Sequence, residues 1–199
     1  MKKIVVTGGN GGLGQAVIAD LLEHDYEVIN VDVTYSRDRK TQYRTPYRIA
    51  DLTDYGQTFA NLKGADGVVH LAGHPSPDHD HFTGAQRFHN NTLATYNVFN
   101  AAVELGLQRV VWASSETVYG FPWEKIAPDY FPMDFDHPLR PQNSYAISKL
   151  MSEKMAEEFT RNSGIPFIGL RFSHVRYEHE YENWARTWSM EHVFKWNLW

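Results

Sequence analysis

Three features are scarce or missing in this sequence: cysteine, long apolar runs and an excess of basic residues. The 199 residues include no cysteine, which excludes disulfides, thiolate metal sites and cysteine nucleophiles. No apolar run approaches the roughly 20 residues that a membrane-spanning helix needs, and no charged-then-apolar leader precedes the first apolar segment. Acidic residues outnumber Lys and Arg by 24 to 19, whereas nucleic acids and anionic membranes favour a basic face. We therefore expect a cytoplasmic protein whose partners are neither nucleic acids nor membranes.

The composition that remains is that of an ordinary globular protein. Hydrophobic residues make up 42% of the chain and charged residues 22%. A chain of this length can bury one good core, which corresponds to one domain, or to one domain with part of a second.

A glycine-rich turn follows the first apolar run. Ile4-Val5-Val6-Thr7 leads into Gly8-Gly9-Asn10-Gly11-Gly12-Leu13-Gly14, and the apolar pattern then continues at helical spacing. Gly8 would permit a sharp turn, Gly11 would let the backbone approach a phosphate, and Gly14 would let a helix lie close to the strand. Unpaired N–H groups at the helix start would face an anion. A strand, a glycine turn and a helix in this order predict a nucleotide site.

The second apolar run, residues 27–32, ends in Asp32. In a dinucleotide fold, a carboxylate about 20 residues beyond the glycines accepts hydrogen bonds from the ribose of NAD and repels the 2′-phosphate of NADP. Alternatively, Asp32 only begins a turn at a strand end. Arg37, Arg39 and Lys40 follow in a polar loop and keep NADP as a minority hypothesis.

The rest of the chain alternates between apolar runs and helical patterns. Strands are predicted at residues 47–52, 67–73, 109–115 and 165–171, and helices after Asp54, at 91–105 and at 144–162. This alternation predicts an α/β fold with a doubly wound parallel sheet, helices on both faces, and a site at the carboxyl ends of the strands. Between residues 120 and 141 prolines and aromatics break the pattern, which is typical of a lid or binding loop.

Tyr145 and Lys149 lie four residues apart at the start of a predicted helix and therefore share a face. A free tyrosine has a pKa of about 10, too high for a general base near neutrality. A neighbouring cation would stabilise the phenolate and lower that pKa. On this pair alone, an exposed Tyr and Lys at helical spacing is the favoured interpretation.

Taken together, these motifs resemble those of the extended short-chain dehydrogenase/reductases, and among them the NAD-dependent epimerase/dehydratase family. They occur in the family's order from the start of the chain to about Val175. The matching segments are Thr7-Gly8-x-x-Gly11-x-x-Gly14, Asp32, Asp51-Leu52, His70-Leu71-Ala72-Gly73, Asn91-x-x-x-Thr95-x-Asn97-Val98, Ser114-Ser115-Glu116-Thr117-Val118-Tyr119-Gly120 and Tyr145-x-x-x-Lys149. The resemblance implies a Rossmann-type fold, NAD as cofactor and a sugar-type substrate.

The resemblance also implies a role for each matching position. Tyr145 corresponds to the catalytic acid/base, Lys149 to the residue that lowers its pKa and holds the nicotinamide ribose, and Ser115 to the hydroxyl that orients the substrate oxygen. Substrate contacts are expected from Ser115, Glu116, Tyr145 and His174. The positions implied for NAD are Gly8, Asn10, Gly11, Gly12, Leu13, Asp32, Asp51, Leu52, Leu71, Ala72, Gly73, Asn91, Tyr145 and Lys149.

Two departures from the family pattern reduce the number of reactions and substrates that are expected. Where sugar-nucleotide dehydratases carry a catalytic glutamate, this chain has Thr117, as epimerases do, and its acid at Glu116 stands one position too early. His174 stands where many epimerases have an asparagine that holds the nucleotide-sugar. The leading hypothesis is an epimerase of a sugar or sugar-nucleotide. A simple dehydrogenase of an aldose or uronate and a non-catalytic NAD-binding protein are the alternatives, and Ser115, Tyr145 and Lys149 argue against the latter.

Several assignments stay open at this point. Asp51 either contacts adenine or helps to cap a helix, and Asn91 either contacts the site or caps the helix that follows. A cluster of histidines and aspartates over residues 74–89 invites a metal hypothesis, although the family needs no metal there and we predict none.

By analogy with relatives, the helices at 91–105 and 144–162 would form a homodimer interface. We expect an NAD-binding domain at 1–175 and the start of an incomplete substrate lobe at 176–199.

Overall fold

The central feature of the computed structural model, which describes residues 2–34, 45–75, 82–123 and 126–181, is a sheet of six parallel strands. The strands are β1 (Lys3–Thr7), β2 (Glu27–Asp32), β3 (Tyr47–Ile49), β4 (Gly67–His70), β5 (Arg109–Ser115) and β6 (Phe167–Phe172). The helices are α1 (Gly12–Glu23), α2 (Tyr55–Leu62), α3 (Gly84–Glu104) and α4 (Ser144–Ser163), and a 3₁₀ turn covers Glu116–Tyr119. The strand order is β3-β2-β1-β4-β5-β6.

Both faces of the sheet are covered, as the strand sequences require. Val5 packs into a cluster with Val98 and Phe99 of α3, whereas its neighbour Val6 packs with Ile18 of α1. Neighbouring side chains on a strand point to opposite faces, so a strand buried on both faces is continuously apolar. The predicted doubly wound α/β fold is confirmed.

Strand pairing sets the lengths of two strands that the sequence predicted too long. β3 ends at Ile49 because its partner β2 ends at Asp32. β4 ends at His70 because β1, which it pairs with through Thr7, turns away at Gly8. The predicted extensions to residues 52 and 73 are therefore wrong, whereas β2 and β5 have the predicted bounds.

The helix predicted at 91–105 begins seven residues earlier, at Gly84. Its N-cap is Thr83, whose side chain accepts from the N–H of Gln86 while the Gln86 side chain reaches back to the N–H of Thr83. This reciprocal pair satisfies two N–H groups of the first turn. The hypothesis that Asn91 caps the helix is wrong, because Asn91 lies two turns inside it.

The edge of the described sheet is apolar. β6, which spans Phe167–Phe172 rather than the predicted 165–171, pairs with β5, and its Ile168 and Leu170 are 40% and 42% exposed. Beside it lies an open groove of about 1880 Å³, lined by side chains of α4, β6 and the aromatic loop that follows the 3₁₀ turn. In the part of the chain that the structure describes, no helix is both long and apolar enough to cross a bilayer.

Candidate active site

The glycine-rich turn between β1 and α1 has the geometry that its spacing predicts. Gly8 has a φ of +70°, and a Cβ there would lie 2.7 Å from the backbone nitrogen of Ala72. A Cβ on Gly14 would lie 2.6 Å from the Cα of Gly9, so only glycine lets α1 approach the turn this closely. The N-cap residue of α1 is Gly11. It has no side chain to cap the helix, and the first-turn N–H groups are left for water or an anion.

Asp32 lies at the end of β2, directly beside this turn. Its carboxylate accepts from the N–H of Asn10 at 3.0 Å and from the N–H of Val33 at 2.8 Å. The side chain of Asn10 donates to the carbonyl of Thr34 at 2.7 Å and so ties the turn to the end of β2. Asp32 thus begins a turn, as the alternative hypothesis held, and its contact with a ribose stays a prediction. The basic residues 37, 39 and 40 lie outside the described residues.

The residues after β3 belong mainly to the fold. Asp51 accepts from the N–H and the hydroxyl of Thr53 at 2.9 and 2.7 Å, ahead of the Asp54 cap on α2. Leu52 is 6% exposed, and its carbonyl accepts from the side chain of Asn97 at 2.8 Å. The carboxylate of Asp51 therefore stabilises the turn into α2, and its contact with adenine stays a prediction.

The loop after β4 is held from both sides. The N–H of Leu71 donates to the carbonyl of Thr7 at 3.1 Å, the N–H of Ala72 lies 3.4 Å from the Thr7 hydroxyl, and a Cβ on Gly73 would lie 3.3 Å from the Asn91 amide oxygen. The buried Asn91 amide accepts from the N–H of His74 at 2.8 Å and donates to its carbonyl at 3.2 Å. Asn91 thus clamps the loop to α3 beside the site.

Ser115, Tyr145 and Lys149 come together at the carboxyl edge of the sheet. Ser115 ends β5, and α4 begins with Asn143 accepting from the N–H of Ala146 at 2.8 Å. Because α4 begins here, its first two turns, which carry Tyr145 and Lys149, lie at the end of β5. The Lys149 ammonium donates to the carbonyl of Ala113 at 2.8 Å and lies 5.5 Å from the centroid of the Tyr145 ring.

Burial has the largest effect on the pKa values of Tyr145 and Lys149. It lowers the pKa of Lys149 to about 8. Burial also raises the pKa of Tyr145, and a hydrogen bond with Ser115 acts in the opposite direction. The expected lowering of the Tyr145 pKa by Lys149 is thus not met by the described residues alone, because loss of hydration around the phenol outweighs the hydrogen bond.

The 3₁₀ turn after Ser115 supplies two further groups. The Ser115 hydroxyl accepts from the N–H of Thr117 at 3.2 Å, and the two hydroxyls are 3.0 Å apart. Glu116 lines the open groove, and burial raises the pKa of its carboxyl to about 7. Thr117 thus orients the Ser115 hydroxyl, and the Glu116 carboxyl faces the open groove.

A partly buried ion pair behind the site was missed by sequence reasoning. Glu153 accepts from the Ser114 hydroxyl at 2.6 Å and from two nitrogens of Arg171 at 2.9 and 2.8 Å. Arg171 also bonds the hydroxyl of Tyr119. The signal for Glu153 was its position four residues after Lys149, which puts an acid on the same helix face.

A second buried polar group joins β1, β4 and α3. The ring of His70 lies 2.8 Å from the Thr7 hydroxyl through Nδ1 and 3.1 Å from the Thr95 hydroxyl through Nε2. Burial, followed by the charge of Lys149, lowers the pKa of His70 to about 3. The imidazole is therefore neutral at physiological pH.

The remaining predicted positions lie at the margins of the site. His174 follows β6, burial lowers its pKa, and its carbonyl accepts from the Tyr181 hydroxyl at 3.2 Å. The ring of His74 packs on Phe82 with centroids 4.0 Å apart. The Asp/His run at 78–81 lies outside the described residues, and within the described ranges no three potential ligands are placed to hold a metal.

Comparison with known proteins agrees with this geometry. A family model described as the NAD dependent epimerase/dehydratase family matches residues 4–187. The chain is similar to a putative UDP-glucose 4-epimerase of Methanocaldococcus jannaschii, with 29% identity over 175 residues that cover 86% of this chain and 55% of that protein.

Two solved structures are similar in fold as well as in sequence. A short-chain dehydrogenase/reductase superfamily protein from Agrobacterium tumefaciens with bound NAD has 29% identity and a TM-score of 0.77, covering 87% of this chain and 50% of that one. A mutated uronate dehydrogenase has 27% identity and a TM-score of 0.74, covering 86% and 58%. The chain therefore spans only about half the length of the relatives that it matches.

Proposed function

The chain belongs to the NAD-dependent epimerase/dehydratase family, and from that premise we propose that it is an NAD-dependent enzyme that epimerises a sugar or sugar-nucleotide. The observation that carries the proposal is the convergence of Ser115, Tyr145 and Lys149 at one strand end. The glycine turn and Asp32 lie at the same edge of the sheet. A protein that only binds a dinucleotide has no need of a proton-transfer group at that edge.

The residues at this edge fit NAD. Beside Gly11, a Cβ would meet only the Gly8 carbonyl, at 3.3 Å, among the described atoms within 4 Å, which leaves room for a diphosphate. The N–H of Gly11 donates to the Gly8 carbonyl at 3.1 Å, so the diphosphate would lie on the N–H groups of Gly12 and Leu13. Asp32 would accept from the adenosine ribose, and Lys149 would hold the nicotinamide ribose. When bound, NAD supplies the hydride acceptor and donor.

The chain's own residues would handle the proton and the substrate oxygen. Tyr145 would take the hydroxyl proton during oxidation and return it during re-reduction, while Ser115 donates a hydrogen bond to the same oxygen. Lys149 remains largely protonated at neutral pH because its pKa of about 8 is still above 7, so its charge would favour the phenolate once a substrate excludes water.

Epimerisation is favoured over dehydration by Thr117. Dehydratases of the family carry their catalytic glutamate at the position of Thr117, whereas Thr117 bonds Ser115 and Glu116 lines the open groove. A simple dehydrogenase of an aldose or uronate is the second candidate, and the similarity to the uronate dehydrogenase favours it.

Cofactor retention would test the proposal. The protein is purified without added nucleotide and denatured, and the NAD and NADH released per chain are quantified. An epimerase regenerates its cofactor in place, so we expect nearly one NAD per chain. A protein that is empty but binds added NAD reversibly would favour the dehydrogenase and direct assays to aldoses and uronates. A protein that binds no NAD would contradict both candidates.

The same proposal extends to assembly and organisation. We propose a homodimer formed through α3 and α4, supported by Tyr96, Ile147 and Met151, which are 45%, 42% and 43% exposed on these helices. Residues 1–175 would form the NAD domain, and 176–199 would begin a substrate lobe. A cytoplasmic location would suit an NAD-dependent sugar enzyme.

A further inference from the structure

The segment that follows β6 crosses the mouth of the candidate site. We define residues 173–181 as the strap. β6 lies three places from β1 in the sheet, which corresponds to roughly 14 Å at the usual strand spacing. Yet Tyr177, five residues beyond the end of β6, contacts Gly12 at the start of α1. Five extended residues reach about 17 Å, so the strap must run across the carboxyl ends of β5 and β4.

The strap ends in an ordered turn and not in a loose tail. Tyr177 donates its N–H to the Glu180 carboxylate at 2.7 Å, and its carbonyl accepts from the N–H of Glu180 at 2.9 Å. The Glu180 carboxylate supplies one half of a capping box, and the backbone contact closes a turn. The rings of Tyr177 and His179 are stacked, and Tyr181 donates to the carbonyl of His174 at 3.2 Å. The orientation of the Tyr177 ring is therefore held by its own segment.

The contact of Tyr177 with α1 leaves the anion-binding groups free. Its hydroxyl donates to the carbonyl of Gly12 at 2.9 Å and therefore occupies none of the N–H donors that a phosphate would need. A Cβ on Gly12 would lie 3.5 Å from the ring of Tyr177, so the ring covers the Cα side of the first turn. A ring at that position would border a diphosphate held on the N–H groups and narrow the path by which it leaves.

We propose that the strap holds the bound dinucleotide in place and that Tyr177 is its latch on Gly12. The proposal rests on the proposed function, because the ligand is the NAD assigned there. Release of the dinucleotide then requires the Tyr177–Gly12 contact to open. Such a latch suits an enzyme that keeps its cofactor between turnovers.

The dissociation rate of NADH tests the latch. NADH is preloaded and chased with excess NAD in a stopped-flow instrument, and its fluorescence is followed. Tyr177→Phe removes one hydrogen bond and should raise the dissociation rate about 3- to 10-fold. Tyr177→Ala also removes the ring and should raise it at least about 10-fold, with a smaller change in the association rate.

Tyr130→Phe is the matched control. It removes a tyrosine hydroxyl that bonds Asp134 at 2.7 Å in another loop, and its dissociation rate should stay within about twofold of wild type. Thermal unfolding of each variant checks that it is folded, and the conservative Tyr177→Phe provides the test if Tyr177→Ala unfolds.

Three results would overturn the latch. One is an unchanged dissociation rate in Tyr177→Phe and Tyr177→Ala while the wild type binds NADH. Another is faster association at an unchanged dissociation rate, which would mean that the strap obstructs the site. The third is a wild type that binds no NADH, which contradicts the proposed function and the latch together. The first two leave the proposed function intact, so the failures are distinguishable.

Discussion

Tyr145 and Lys149 are both buried, and burial moves their proton affinities in opposite directions. The pKa of Tyr145 is raised from its ordinary 10.0, and that of Lys149 is lowered from 10.5 to about 8, so the two proton affinities move apart. The phenol therefore holds its proton more tightly than the neighbouring ammonium does. The group proposed as the catalytic acid/base is the Tyr145 hydroxyl.

Removal of that hydroxyl separates binding from chemistry. Tyr145→Phe should bind NAD within about threefold of wild type and lose about 100-fold or more in turnover, because general acid–base catalysis typically contributes that much. Isothermal titration gives the affinity, and a coupled assay with the substrate found gives the rate. Turnover that survives in Tyr145→Phe would contradict the acid/base role.

His70 makes stability depend on pH in a defined direction. Its pKa in the folded protein, about 3, lies below the ordinary 6.5, so the folded state favours the neutral imidazole. Above pH 6.5 this contribution is complete. Below it the unfolded chain takes a proton that the folded chain refuses, and the free energy of unfolding falls by about 1.4 kcal/mol per pH unit down to about pH 3.

His70→Gln should remove this dependence, and urea unfolding at several pH values between 6.5 and 4 measures it. The variant will be less stable at every pH because Thr7 and Thr95 lose a partner. The slope is the test, and it should be shallower than that of wild type by about one proton. His24→Gln, at an exposed histidine, is the control and should keep the steep slope. Equal slopes in wild type and His70→Gln would exclude His70 as the cause.

At the scale of elements, the Glu153–Arg171 pair joins the helix that carries Lys149 to two strands. Glu153 belongs to α4, Arg171 to β6, and Ser114 to β5, one residue before Ser115. The paired side chains are only 17% and 14% exposed. A partly buried pair of this kind contributes little when intact compared with the cost of breaking it, because the remaining charge loses a partner where water reaches it from the groove to a limited extent.

Glu153→Gln should therefore lower the free energy of unfolding by about 1 to 3 kcal/mol, measured by urea denaturation. Glu157→Gln is the matched control on the same helix. Its partner is Lys154, both side chains are more than half exposed, and the change should be at most about 0.5 kcal/mol. Similar losses in the two variants would mean that the Glu153–Arg171 pair has no special role in joining α4 to the sheet.

At the scale of the whole molecule, two surfaces among the described residues each carry several exposed apolar side chains. One is formed by α3 and α4, where the rings of Tyr96 and Phe159 are 5.8 Å apart and hold the two helices together. The other is β6 with the adjoining groove. Apolar surface of this extent on a folded chain usually marks a contact with another protein surface.

Met151→Arg should convert the proposed dimer to a monomer, because it puts a charge into a helix face that would be buried on assembly. Ile168→Arg changes an equally exposed apolar residue on β6 and should leave the dimer intact. Sedimentation equilibrium over a range of concentrations distinguishes the two. A wild-type protein that is monomeric throughout, or one in which Ile168→Arg alone dissociates it, would contradict the α3/α4 interface.

Local patterns were enough to predict much of this molecule. The continuous apolar runs predicted the strands, and β2 and β5 have the predicted bounds. The glycine spacing predicted the conformation at Gly8 and the close approach at Gly14. The errors at the ends of β3 and β4 arose because a strand ends where its neighbour ends, and the neighbour is not visible in the segment itself.

By itself, the amino-acid sequence determined the fold class, the order of the elements and the family, because periodicity, turn residues and motif spacing act over a few residues. Only the tertiary structure decided how distant groups meet. Glu153 finds Arg171 across α4 and β6, His70 is enclosed by Thr7 and Thr95, and Tyr177 reaches Gly12 across 165 residues. These contacts depend on packing between elements, and the charges and hydrogen bonds that tune the site follow from that packing.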